Sequence, residues 1–237
     1  MRQAGRIVAE ALERLRERVR PGVSTAELDR LAYEAVTRRG ARPAFLGYRG
    51  FPASLCASIN DEVVHGIPRE DRILNEGDIV SLDFGSIYQG YYGDAATTVA
   101  VGRVSPLAAE LLAVAEQALY KGIEQARAGN HLTDISAAIQ ACAEGQGFSV
   151  VRKYVGHGIG RTMHEKPEVP NFGPPGRGPV LRSGLVLAIE PMVNTGTSDT
   201  LELDDGWTVV TADGGLSAHF EHSVAVTDGE PEILTLL

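Results

Sequence analysis

Glu76-Gly77-Asp78-Ile79-Val80-Ser81-Leu82-Asp83 and Ser183-Gly184-Leu185-Val186-Leu187-Ala188-Ile189-Glu190 share one pattern, a glycine, a β-rich apolar run and a terminal carboxylate, set 107 residues apart. The same offset relates Gly22 to Gly129 and Gly40 to Gly147. Around the first of these pairs, Pro21-Gly22-Val23-Ser24-Thr25-Ala26-Glu27-Leu28 has the texture of Ala128-Gly129-Asn130-His131-Leu132-Thr133-Asp134-Ile135. The pattern predicts two diverged copies of one unit, residues 1–104 and 105–237 approximately, within a single domain. An acid at the end of each equivalent strand predicts one site, built where the pseudo-symmetric halves meet.

Composition narrows the class. A chain of 237 residues can hide about 70–75% of its unfolded surface, enough for a substantial core without staples. Cys56 and Cys142 are the only cysteines; they are too few for a disulfide framework and wrongly spaced for a zinc knuckle, so they read as thiols in a reducing, cytoplasmic compartment. Met1 to Arg20 interrupts its apolar residues with Glu10, Glu13, Arg14, Arg16, Glu17 and Arg18, which excludes a signal-peptide core. The net charge of −9 argues against a broad nucleic-acid face and favours small-molecule or peptide chemistry.

Each half opens with helices and continues with strands. Ile7, Val8, Leu12, Leu15 and Val19 recur at helical spacing. Ser24-Thr25-Ala26-Glu27 has the form of a capping box, and the stripe Leu28, Leu31, Ala32, Ala35 stops near Gly40. Pro106 is expected to start a third helix running to about Ala128, and Thr133 or Asp134 a fourth running to about Gly145. Strands are predicted over 79–84, 97–101, 185–189 and 223–226. The stretch 167–179 reads as a loop rich in proline and glycine.

Three clusters carry chemistry. Asp83 and Asp94 flank a possible hairpin: a turn at Tyr88-Gln89 sets them directly opposite, a turn at Gln89-Gly90 makes them diagonal on one face, and an odd-length loop separates the faces. Two carboxylates about 4 Å apart repel by about 4 kcal/mol at an effective dielectric near 20, so on one face they call for a proton or a cation. Gly156-His157-Gly158-Ile159-Gly160 leaves the His157 ring sterically open, with His164-Glu165 following. Ile189-Glu190-Pro191 and Phe220-Glu221-His222-Ser223-Val224 embed acids in apolar strand sequence, where Glu rarely stands without a partner.

Asn60-Asp61-Glu62-Val63-Val64-His65-Gly66-Ile67-Pro68, Leu82-Asp83, Gly93-Asp94, the His157 run, His164-Glu165, Ile189-Glu190-Pro191 and Glu221-His222 together resemble type I methionine aminopeptidases. Spacings of 18, 11, 63, 7, 26 and 31 residues from His65 through Asp83, Asp94, His157, His164 and Glu190 to Glu221 span nearly the whole chain. The resemblance implies a pita-bread fold: an α/β (α+β) arrangement of two pseudo-symmetric halves around a curved antiparallel sheet with helices outside. It implies two divalent metal ions (Co, Mn, Fe or Zn) held by Asp83, Asp94, His157, Glu190 and Glu221, with a water between them attacking the scissile carbonyl.

By the same resemblance Glu190 also handles protons, His164 stabilises the developing oxyanion and His65 contacts the peptide near the scissile nitrogen. Tyr48, Phe51, Cys56, Met163 and Trp207 fall on the family's methionine pocket, although Met163 stands where relatives often carry an aromatic ring. The implied activity is a methionyl aminopeptidase, a dinuclear metallo-exopeptidase removing initiator methionine ahead of a small second residue. Its implied partners are N-terminal Met peptides and nascent chains, with transient ribosome contact, no sequence-specific nucleic-acid or membrane binding, and action as a monomer. The segment 197–218 is acidic, without Lys or Arg, and is expected to give no docking contact to RNA. A proline-specific peptidase on the same fold, or a metal-free binding protein that kept it, would be the alternatives.

Overall fold

Apolar spacing and capping chemistry set the helices. The computed structural model describes residues 1–237. Helix α1 (Arg2–Arg18) buries Ile7, Val8, Leu12 and Leu15, and α2 (Thr25–Thr37) starts where Ser24 Oγ accepts from the Glu27 amide at 3.1 Å. The reciprocal half of the expected capping box does not form. The Arg18 guanidinium takes the Glu27 carboxylate instead, with Nε 2.7 Å from Oε1, because a charge-assisted bond outcompetes a neutral amide.

Helix α3 (Pro106–Ile123) is capped by Ser105 Oγ. It ends short of the expected Ala128, since the Ala128 and Gly129 amides bond instead to Thr227 O and Leu181 O. Helix α4 (Leu132–Glu144) begins just before the expected start, with the Asp134 carboxylate accepting from the His131 amide at 2.7 Å.

Positions 107 residues apart share conformation as well as type. Gly77 and Gly184 have φ +94° and +92°, a region strained for any side chain. Gly22 donates to Leu74 O at 2.8 Å, and Gly129 to Leu181 O at 3.0 Å. Ser24 bridges to Ile73, and His131 to Val180. The two halves therefore enter their strands through the same turns.

Nine strands, all antiparallel, form the main sheet. Its path runs from Arg42–Pro43 through Ile79–Tyr88, Tyr91–Ala100, Glu221–Ala225, Val186–Ile189 and Gly156–Gly158 to Glu165–Val169. Leu55–Ile59 joins the second of these and Glu232–Ile233 the fourth. The halves meet where Tyr91–Ala100 pairs with Glu221–Ala225. Glu165–Val169 takes in Pro167, so the expected loop starts as a strand; a sheet edge tolerates the missing amide hydrogen. The acidic segment likewise contains strands, Thr200–Glu202 and Val209–Thr211, the latter pairing with Glu62–Val64.

Alternation along the strands sorts core from site. Leu82 and Phe84 are fully buried in a cluster with Leu15, Leu28 and Leu55 beneath α1 and α2. Leu187 and Ile189 join Leu111, Leu119, Ile135 and Ile139 beneath α3 and α4. The intervening residues, Asp83 among them, point to the other face of the sheet. This is the helices-outside, shared-sheet arrangement of the pita-bread type. No helix is long and apolar enough to cross a membrane.

Candidate metal centre

The hairpin turns at Gln89-Gly90, both with positive φ (+50° and +78°), the backbone required by the preferred two-residue hairpin turn. Asp83 is therefore opposite Ala96 and Asp94 opposite Gly85, which makes the two acids diagonal neighbours on one face. Ala96 is also opposite Glu221 on the next strand. A methyl group thus lies between the Asp83 and Glu221 positions, leaving room above the sheet. Ser223 fixes Asp94 from behind: its Oγ accepts from the Asp94 amide at 3.0 Å and donates to the Asp94 carbonyl at 2.8 Å.

From the other half, His157 lies beside Ala188, and Glu190 follows two residues on. His157 Nδ1 is 2.9 Å from Gly158 O, and a carbonyl can only accept, so Nδ1 carries the proton. Nε2 then offers a lone pair. It lies 3.6 Å from Glu190 Oε1 and 4.0 Å from Asp94 Oδ2. One ligand atom from each of Asp94, His157 and Glu221 lies within 4.8 Å of the others.

The flanking glycines also serve the sheet. A Cβ at Gly156 would come within 2.4 Å of Ala188 O, and one at Gly158 within 2.5 Å of Lys166 O. Gly156→Ala should therefore destabilise the fold by about 1–3 kcal/mol through forced strand separation. Urea unfolding of the variant measures this, and an unchanged midpoint would refute it.

Burial dominates the electrostatics. It raises the Asp83 carboxyl to about 7. It also pushes up Asp94, Glu190 and Glu221, each raised further by its acidic neighbours. Asp83 Oδ1, Asp94 Oδ1 and Glu221 Oε1 are buried without any hydrogen-bond partner. Buried acceptors that converge without donors fit a cation. Oxygen donors with one imidazole suit a borderline divalent metal, and no thiolate competes, because burial first and then Asp83 raise the Cys56 thiol.

Above the acids a cavity of about 160 Å³ is lined by Asp83, Asp94, His157, Glu190 and Glu221, and by His65, His164, Tyr48, Phe51, Cys56, Met163 and Trp207. The structure thus gathers every site residue singled out in the sequence around one opening. Phe51 meets Trp207 edge-on at 5.1 Å, and His65, with φ +61°, packs its ring against Tyr154 and Trp207. Tyr48 Oη is 2.8 Å from His164 Nδ1. Burial, and then the neighbouring His157, hold His164 down to about 4, so its ring is neutral at pH 7.

Sequence reasoning missed three residues here. Phe45 and Arg49 also line the cavity, and His219 Nε2 lies 3.6 Å from Glu190 Oε2. Burial holds His219 down to about 3. Its place two residues before Glu221 was a usable signal, since alternate residues of extended chain share a face.

Comparison with known proteins agrees with this geometry. The chain is 57% identical to a methionine aminopeptidase of Clostridium acetobutylicum over 236 residues, covering 100% of this chain and 94% of that one. It is 52% identical to methionine aminopeptidase 1 of Bacillus subtilis, covering 99% and 94%. A crystal structure of methionine aminopeptidase from Thermotoga maritima superposes with a TM-score of 0.99 at 46% identity, covering 100% and 95%. Residues 1–228 match the model of metallopeptidase family M24. With acids from both halves meeting at the seam of the shared sheet and a match across nearly the whole chain, the protein belongs to metallopeptidase family M24.

Proposed function

We propose that this protein is a methionyl aminopeptidase that releases the N-terminal methionine of peptides and nascent chains whose second residue is small. The observation that carries the reading is the set of partnerless buried carboxylate oxygens at the floor of a cavity walled by Tyr48, Phe51, Cys56, Met163 and Trp207. Those walls suit a thioether, and burying a methionine side chain there contributes about 1.5–3 kcal/mol. Incubation with Met-Ala-Ser tests the reading: free methionine is expected, and release of the Met-Ala dipeptide would replace it with a dipeptidyl peptidase.

Asp83, Asp94, His157, Glu190 and Glu221 would hold two divalent ions, which when bound supply Lewis acidity and a nucleophilic water near pH 7. The protein's own groups do the rest. With Tyr48, 2.8 Å from His164 Nδ1, as the donor of that bond, the Nε2–H of His164 is free to donate to the scissile carbonyl oxygen as it gains charge. Glu190, between two imidazoles, passes a proton toward the departing amine. His65, packed against Tyr154 and Trp207, orients the peptide.

His164→Ala should lower kcat about 10²–10³-fold with little change in KM, and His65→Ala should act more on KM. Steady-state kinetics decides; full turnover in His164→Ala beside its loss in His65→Ala would reverse the assignment.

The whole chain acts as one catalytic domain, since ligands for one centre come from both halves. Asp199, Glu202, Asp204, Asp205 and Asp213 leave the hairpin region without a cation for RNA. Replacing the exposed tip 201–206 with neutral residues should leave salt-dependent ribosome sedimentation unchanged, and its loss would show that the segment docks.

A further inference from the structure

The neighbourhood of Glu190 contains a group that none of these roles uses. His219 is buried, and its backbone is fixed on two sides. It pairs with Met192 across the strands, and its amide donates to Thr98 Oγ1 at 2.9 Å while Thr98 donates back to the His219 carbonyl at 2.8 Å. With the Thr98 proton spent on that carbonyl, Ser81 Oγ, 2.9 Å away, is the donor to Thr98. Ser81 and Thr98 thus tie the strand that carries Asp83 to the backbone of His219, whose ring lies beside Glu190.

On the side chain of the residue so anchored, His219 Nε2 is buried without a hydrogen-bond partner, 3.6 Å from Glu190 Oε2. The other carboxylate oxygen, Oε1, lies 3.6 Å from His157 Nε2. The two imidazoles therefore address opposite ends of one carboxylate. His157 presents a lone pair, because its Nδ1–H is used by Gly158 O. His219 has a nitrogen with nothing to donate to except Glu190, and a shift of a few tenths of an ångström brings that pair within the ordinary range of about 2.7–3.2 Å.

We infer that His219 is a positioning residue: its Nε2–H holds Glu190 Oε2 and leaves Oε1 turned toward the metal, so that a residue anchored by Ser81 and Thr98 sets the orientation of a ligand. The inference rests on Glu190 being a metal ligand. Groups in this outer position typically change metal affinity 10–100-fold when removed.

Calorimetric titration of Mn(II) into metal-stripped protein tests it with two variants of matched bulk. His219→Leu fills the space without a donor and should weaken binding 10–100-fold. His219→Gln keeps an N–H and should bind nearly as the unaltered protein does. Equal affinity in His219→Leu and the unaltered protein would overturn the inference. No Mn(II) binding by the unaltered protein would instead overturn the metal-site reading on which it stands. Should His219→Leu fail to fold, the imidazole nitrogen NMR spectrum of the unaltered protein decides. An Nε2–H tautomer at His219 in the loaded state supports the role, and an Nδ1–H tautomer overturns it.

Discussion

Asp94→Asn should lower kcat/KM by at least about a thousandfold, roughly 4 kcal/mol of transition-state stabilisation, while leaving the metal-free fold as stable as before or more so. Both halves of the prediction come from the same geometry. The bonds that hold Asp94 in place are made by its backbone to Ser223, and an amide side chain does not disturb them. The carboxylate Oδ1 has no partner to lose. Replacing a buried ionisable carboxyl beside Asp83 and Glu190 by a neutral amide removes the repulsion that helps raise Asp94. A purely structural acid would behave in the opposite way, with activity surviving and stability falling. Steady-state kinetics and thermal unfolding of the chelated protein separate the two; activity above a tenth of the unaltered value would refute the catalytic placement.

Metal removal should produce a pH dependence of stability that is opposite in sign to ordinary acid denaturation. Burial raises the Asp83 carboxyl from its ordinary 3.8 to about 7 in the fold, so between those values the folded chain holds a proton that the unfolded chain has lost. The Asp83 contribution to stability then falls as pH rises through this window and levels above it. Asp94, Glu190 and Glu221 shift in the same direction.

Asp71, Asp205, Asp213 and Glu232 shift downward; their contributions are lost only as pH falls toward their depressed values, outside this window. His164, His219 and His222, held down by desolvation to about 4, 3 and 4, add stability as pH rises toward their ordinary 6.5 and nothing beyond it. Above that value the raised carboxylates set the sign, so the chelated protein should unfold at a lower temperature at pH 7.5 than at pH 6.5. A divalent metal at about a thousand times its dissociation constant adds about 4 kcal/mol. At about 2–4 °C per kcal/mol for a chain of this size, that raises Tm by about 8–16 °C. Calorimetry with and without chelator at both pH values checks it, and a metal-free protein more stable at pH 7.5 would contradict the assignment.

Much of this architecture is written in local signals. The offset of 107 residues survives in three dimensions because each matched glycine occupies a left-handed turn that no other residue adopts without strain. The apolar stripes of α1 and α2 are legible for the same kind of local reason, since helical spacing maps directly onto one buried face. The Asp83–Asp94 hairpin was legible up to a choice between turns. Gly90 accepts φ +78° without cost, and with it the choice falls on Gln89-Gly90.

What escaped depends on contacts between distant segments. Glu27 was lost to its cap because Arg18, on another helix, was within reach. The glycines beside His157 could not be assigned from sequence alone, because the backbones that crowd them belong to Ala188 and Lys166. Arg49 and Phe45 reach the cavity from an irregular segment with no periodicity to read. His219 did have period-two phase with Glu221, yet its partner Glu190 comes from a different strand pair.

Hydrolysis of Met-Ala-Ser, Leu-Ala-Ser and Met-Pro-Ala by metal-stripped protein, with Mn, Fe, Co or Zn added back beside a His157→Ala control, tests the central claim most directly. The expected result is methionine released from Met-Ala-Ser alone, only after a metal is restored, and not by the control. Folded protein that releases nothing with any of the four metals, or that prefers the proline peptide, would contradict it.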